Sequence, residues 1–105
     1  MAVLYIKEHL PEKFSVESVA TAAKDNYNHL KTVFRREVGM TMVEYINYLR
    51  IQRVKEMIFQ ENCTAEIAGD AVGIHDVKYL RRLFRRYTGM TILEYRQICR
   101  DAGNG

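Results

Sequence analysis

The sequence has no tryptophan, one proline (Pro11) and six glycines in 105 residues. So few turn-forming residues argue against a loop-rich fold. Two cysteines, Cys63 and Cys99, are too few for a disulfide scaffold, and their spacing fits no metal motif; they read as reduced thiols. The histidines His9, His29 and His75 are widely separated, and none pairs with another ligand at metal-binding spacing. No metal or other cofactor is expected. No Ser/His/Asp set, Cys/His pair or phosphate-cradling glycine loop is present, which argues against an enzyme. The opening apolar run, Met1 to Ile6, is shorter than the roughly 7–15 residues of a signal sequence core and lacks a basic flank. No stretch approaches the roughly 20 apolar residues of a membrane span. The expected setting is the cytoplasm, away from membranes.

What is present is a globular composition, 48% apolar and 28% charged, of a length suited to one domain. The net charge of +3 says little, but its distribution says more. Residues 77–93 hold Lys78, Arg81, Arg82, Arg85 and Arg86 with no acid, and residues 27–36 hold Lys31, Arg35 and Arg36 with none. Half of the sixteen basic residues sit in these two windows. One basic helix face is usually only a solvated surface; two equivalent ones carry more weight.

The windows are equivalent because the chain repeats itself. Residues 34–50, FRREVGMTMVEYINYLR, match residues 84–100, FRRYTGMTILEYRQICR, at nine of seventeen positions with an offset of fifty. Leu30 and Leu80 match as well. Two copies are too few for a solenoid and point to a duplicated subdomain.

The periodicity is helical throughout, with no alternating strand pattern. A first helix over residues 2–10 ends at Pro11. Ser15 caps a short helix with Val16, Val19, Ala20 and Ala23 inward. Asn26 can cap a helix over about 27–37 that buries Leu30, Val33 and Phe34, with Gly39 placed for a left-handed cap. Thr41 to Glu44 and Thr91 to Glu94 both read as capping boxes. The helix after Thr41 runs to about Gln60, roughly 28 Å at 1.5 Å per residue, with Ile46, Leu49, Val54, Met57 and Ile58 on its apolar side. Thr64 caps a short helix with Ile67, Ala68, Ala71 and Val72 inward, and Gly73 marks the turn. A helix over 77–87 buries Leu80, Leu83 and Phe84. The last helix spans about 91–100, and Gly103 to Gly105 reads as a frayed end.

A short capped helix, a tight turn and a basic helix therefore occur twice. The small residues Ala20 and Ala23, or Ala68 and Ala71, allow close crossing. This is helix-turn-helix geometry, in which the second helix enters a DNA major groove.

The stretches VATAAKDNYNHLKTVFRREVGMTMVEYINYLR, RIQRVKEMI and AVGIHDVKYLRRLFRRYTGMTILEYR carry a resemblance. Together they resemble the DNA-binding domain of AraC-type (arabinose-regulator-like) transcription factors, over about residues 3–100. Ile92 stands where the family usually has proline, Ile74 and Leu80 where it has aromatics, and Val54 where it has alanine. The expected fold is all-α, with about seven helices. Two helix-turn-helix subdomains, about 2–40 and 62–101, flank a linker helix of about 41–60. The resemblance implies binding to double-stranded DNA for transcription regulation, RNA polymerase as a protein partner, and a separate sensing or receiver domain ahead of this one. With no heptad seam or large apolar stripe, the isolated domain is expected to be monomeric.

Outward residues early in each second helix, which match the family's base-reading positions, are the expected base contacts. They are Asn28, Lys31 and Thr32 in the first, and Lys78, Arg81 and Arg82 in the second. Asn pairs with adenine, Arg and Lys with guanine, so the second helix should be the more G-directed. Arg35, Arg36, Arg85 and Arg86 lie further along and are expected on phosphate, unless Arg35 and Arg85 form ion pairs, with Glu37 and Asp76 among the candidates. Helix starts near Ser15 and Thr64 add backbone amides for phosphate. Tyr45 and Tyr95 read as packing residues, Arg50 as an ion-pair or packing residue, and His29 and Tyr79 as equivalent residues beside the reading face, open to half-buried packing at least as much as to DNA contact. The competing reading is a helical module that binds an acidic protein partner.

Overall fold

The computed structural model describes residues 26–104. The two helices expected over 2–10 and after Ser15, and Ser15 itself, lie outside the described residues. Within these are five α-helices and no strand: α1 (Tyr27–Val38), α2 (Met42–Glu61), α3 (Ala65–Ala71), α4 (Val77–Thr88) and α5 (Ile92–Asn104). The described residues fall into two compact units that meet between Leu49 and Arg50.

In the first unit, Asn26 is extended and starts α1. Its side-chain oxygen accepts from the amides of Asn28 at 2.9 Å and His29 at 3.3 Å. Such a cap contributes about 1 kcal/mol. α1 buries Leu30 and Phe34 on one face and leaves Asn28, Lys31, Thr32 and Arg35 on the other. It stops at Gly39, whose φ of 86° suits a residue without a Cβ and whose amide donates to the Arg35 carbonyl. The first capping box forms as expected: the Glu44 amide donates to Thr41 Oγ1 at 3.1 Å, and the Thr41 amide to Glu44 Oε1 at 3.2 Å. Phe34 then meets Tyr45 edge-on, with ring centres 5.5 Å apart.

The second unit repeats each device. Asp76 caps α4 through the amides of Lys78 at 3.0 Å and Tyr79 at 3.4 Å. Gly89 ends α4 with φ 79°. Thr91 and Glu94 exchange bonds of 2.9 and 3.1 Å. The Phe84 and Tyr95 rings lie 5.6 Å apart. These ring pairs tie the basic helix to its successor and are worth about 0.5–1.5 kcal/mol each beyond area burial. The packing roles expected of Tyr45 and Tyr95 are therefore observed.

α2 has 20 residues, a length of about 30 Å. Ile46, Val54, Met57 and Ile58 are buried as expected, while Leu49 is half-buried. Ile51, fully buried, and Met42 were not expected among them. The core of the second unit gathers Ile51, Val54, Ile58, Ala68, Val72, Leu80 and Phe84.

Val33 is half-buried rather than buried, and two helices differ further from expectation. α3 turns Ala65, Ala68 and Gly69 inward, followed by Val72, whereas Ile67 is 56% exposed and Ala71 is exposed. Positions 65, 68, 69 and 72 follow the i, i+3, i+4, i+7 stripe, and Ile67 falls off it. The last helix continues past 100 to Asn104, so residues 103 and 104 are helical rather than frayed. Gln97 donates to Asp101 one turn later at 3.1 Å, which supports these final turns.

Candidate nucleic-acid interface

Each unit carries a shallow groove along its basic helix. In the first, Asn28, Lys31, Thr32, Arg35 and Arg36 line a groove of about 450 Å³. In the second, Lys78, Arg81, Arg82 and Arg85 line one of about 680 Å³. The expected base readers occupy the same slots in both, because 28, 31 and 32 become 78, 81 and 82 at the offset of fifty. All six are exposed. The identical caps at Asn26 and Asp76 start the two helices at equivalent residues, so equivalent side chains face outward.

Some of these side chains already have internal partners. The Thr32 hydroxyl donates to the Asn28 carbonyl at 3.0 Å, which leaves its methyl and lone pairs to face outward. Arg36 pairs with Glu37 at 3.4 Å on an open surface, an exposed contact worth little. Glu37 thus engages Arg36 rather than Arg35, and Asp76 is spent on capping α4. Among the described residues no ion pair engages Arg35 or Arg85. The Thr64 hydroxyl accepts from the Ile67 amide at 3.2 Å. Arg86 is exposed but does not line the second groove.

The turn ahead of α4 is built for close approach. The Gly69 carbonyl accepts from the amides of Val72 at 3.1 Å and Ile74 at 2.8 Å. His75 Nδ1 and Asp70 Oδ1 lie 2.8 Å apart across the same turn. The guanidinium of Arg82 stacks near the Tyr79 ring, 5.8 Å from its centre, and both are exposed, so Tyr79 stands open beside the cationic face and is not packed half-buried. His29 is likewise exposed. Arg50 is half-buried, and that burial lowers the pKa of its guanidinium, against an opposing pull from Tyr79.

Sequence reasoning missed two charged lining residues. Arg96 borders the second groove and donates to the Cys63 carbonyl, with Asn62 Oδ1 a further 3.5 Å contact. It braces the link between α2 and α3. Glu66 borders the same groove. Both sit outside the basic window, and only the folded packing of α3 and α5 brings them to α4.

A family model described as a helix-turn-helix domain matches residues 19–98. The chain belongs to the AraC-type helix-turn-helix family. Its members are DNA-binding transcription regulators, and that is the class of this AraC-type domain. Among curated proteins it is similar to the bifunctional transcriptional activator/DNA repair enzyme AdaA of Bacillus subtilis, with 31% identity over 75 residues. That match covers 71% of this chain and 36% of AdaA, so the domain spans about a third of that relative's length. A Listeria innocua protein of unknown function has a similar structure, with TM-score 0.80, 30% identity and 91% of each chain covered. The DNA-binding domain of AdpA, solved in complex with a target DNA, superposes with TM-score 0.89 at 24% identity, covering 96% of this chain and 91% of that one. Among the described residues no helix is long and apolar enough to cross a membrane, and no cluster of His, Cys, Asp and Glu could hold a metal ion.

Proposed function

We propose that this AraC-type domain binds double-stranded DNA in a sequence-specific way to regulate transcription, and that α1 and α4 each read one of two successive major grooves. The observation that carries the reading is the duplicated groove: the same cap, the same outward slots and a cationic lining in both units. Asn28, Lys31, Thr32, Lys78, Arg81 and Arg82 contact bases. Arg35, Arg36, Arg85 and Arg86, with the helix starts at Ser15 and Thr64, contact phosphate. Equivalent major-groove positions on one DNA face recur every ~34–36 Å. A 20-residue α2 of about 30 Å suits a connection between two such readers. The AdpA domain, which shares the fold, was solved with a target DNA, and that supports DNA as the ligand.

On this reading the domain has about seven helices, two of them ahead of α1, with subdomains over about 2–40 and 62–101 and a linker over 41–60. The domain acts in the cytoplasm as a monomer, without enzymatic activity of its own. It works beside a sensing or receiver domain and contacts RNA polymerase.

Selection of bound sites from a random duplex pool near physiological salt tests the reading. Two short motifs about one helical turn apart are expected. Retention without any enriched sequence would reduce the domain to an electrostatic binder, and no retention even at low salt would refute DNA binding.

A further inference from the structure

The second groove contains a feature that its cationic character does not explain. Lys78, Arg81, Arg82, Arg85 and Arg96 line it, and so does one acid, Glu66. Among the described residues, the lining of the first groove includes no acid. Glu66 lies in the first turn of α3 and is exposed. Among the described residues it forms no ion pair with these cations, so its charge is not spent on holding one of them in place.

We propose that Glu66 is an affinity-limiting residue of the second reader. Its carboxylate repels DNA phosphate at the edge of the groove and holds down the sequence-independent part of binding. The proposal rests on the DNA-binding reading above and assigns to it a residue that opposes binding.

The physical case is one of range. A carboxylate on the groove wall acts within the Debye length, about 10 Å at 0.1 M salt, on a phosphate held by Arg85, which lines the same groove. Phosphate contacts supply nearly all of sequence-independent affinity. An acid beside them lowers that affinity for every sequence alike, leaving base contacts to decide how long the protein stays. A first-turn acid also favours a helix through the peptide dipoles. That role makes no prediction about DNA.

The test compares the domain with E66Q, E66K and the control E61Q. Glu61 is exposed at the end of α2 and borders neither groove, so E61Q makes the same charge change elsewhere. Affinity for a random-sequence duplex is measured by fluorescence anisotropy across a salt series, and circular dichroism melts confirm that each variant is folded. E66Q is expected to bind about 3–10-fold more tightly at low salt, with the gain shrinking as salt rises. E66K is expected to bind more tightly still, with a log–log salt slope steeper by about one. E61Q should stay within about twofold of the parent. Folded E66Q that gains no more than E61Q, or that binds less well, overturns the proposal alone. A parent domain that fails to bind duplex DNA at low salt overturns the DNA-binding reading and the proposal with it.

Discussion

Gly69 of α3 lies so close to Ile74 that a Cβ at Gly69 would stand 2.5 Å from the Ile74 carbonyl oxygen, and 3.1 Å from Leu80 Cδ2. The obstacle is backbone, which cannot swing aside as a side-chain tip does. This approach sets how tightly α3 packs on the turn that leads into α4. Gly69→Val should therefore destabilise the second unit by at least about 1–3 kcal/mol, the usual cost of overpacking. Urea denaturation followed by circular dichroism measures it. A Val variant as stable as the parent would show that the turn gives way freely.

Phe84 is fully buried, and it carries the basic helix against Tyr95. Phe84→Ala should cost about 3–5 kcal/mol. In a small domain with a typical total of about 5–15 kcal/mol, that loss is severe. Chemical denaturation of the two proteins side by side gives the number. Arg85→Ala, one residue on but exposed, should change stability by less than about 0.5 kcal/mol.

Much of this architecture is legible in the sequence because its signals are local. Thr-x-x-Glu after a glycine specifies a capping box within four residues, and both boxes form. The fifty-residue offset identifies the equivalent outward slots before any packing is known. What escaped depends on contacts made over longer distances or on helix phase. A seven-residue helix has too few positions to fix its phase, so the pattern points Ile67 and Ala71 inward and does not single out Gly69. Asp76 drew attention as an ion-pair partner, yet its side chain is aimed at two amides of its own chain. Arg96 reaches Cys63 across 33 residues of sequence, a contact no periodicity encodes.

The capping box at α5 implies a pH dependence. Hydrogen bonds from the Thr91 amide and hydroxyl, chiefly the amide, hold the Glu94 carboxyl below its ordinary pKa. A carboxyl lowered in the folded state contributes stability above its unfolded-state pKa and loses it as pH falls through the folded value. Glu94→Ala should therefore lower the melting temperature at pH 7. The gap from the parent should narrow in acid, where Glu94 of the parent is itself protonated. Thermal melts across the acid range check this; a gap that is constant with pH would contradict it.

Base and phosphate roles separate by salt and by sequence. Lys78→Ala, Arg81→Ala or Arg82→Ala should cost about 1–3 kcal/mol on a selected site and relax the preference at one position. Arg35→Ala or Arg86→Ala should weaken all sequences alike and reduce the salt slope by about one. Affinity titrations on the selected site and on point-changed sites, each at several salt concentrations, distinguish the two outcomes.

The central claim is that the two grooves are separate readers of DNA sequence. Site selection repeated with N28A/K31A and with R81A/R82A tests it most directly. Each variant should lose one of two motifs and keep the other, with the motif lost in R81A/R82A being the one richer in guanine. Loss of both motifs together in either folded variant, or survival of both, would contradict the claim.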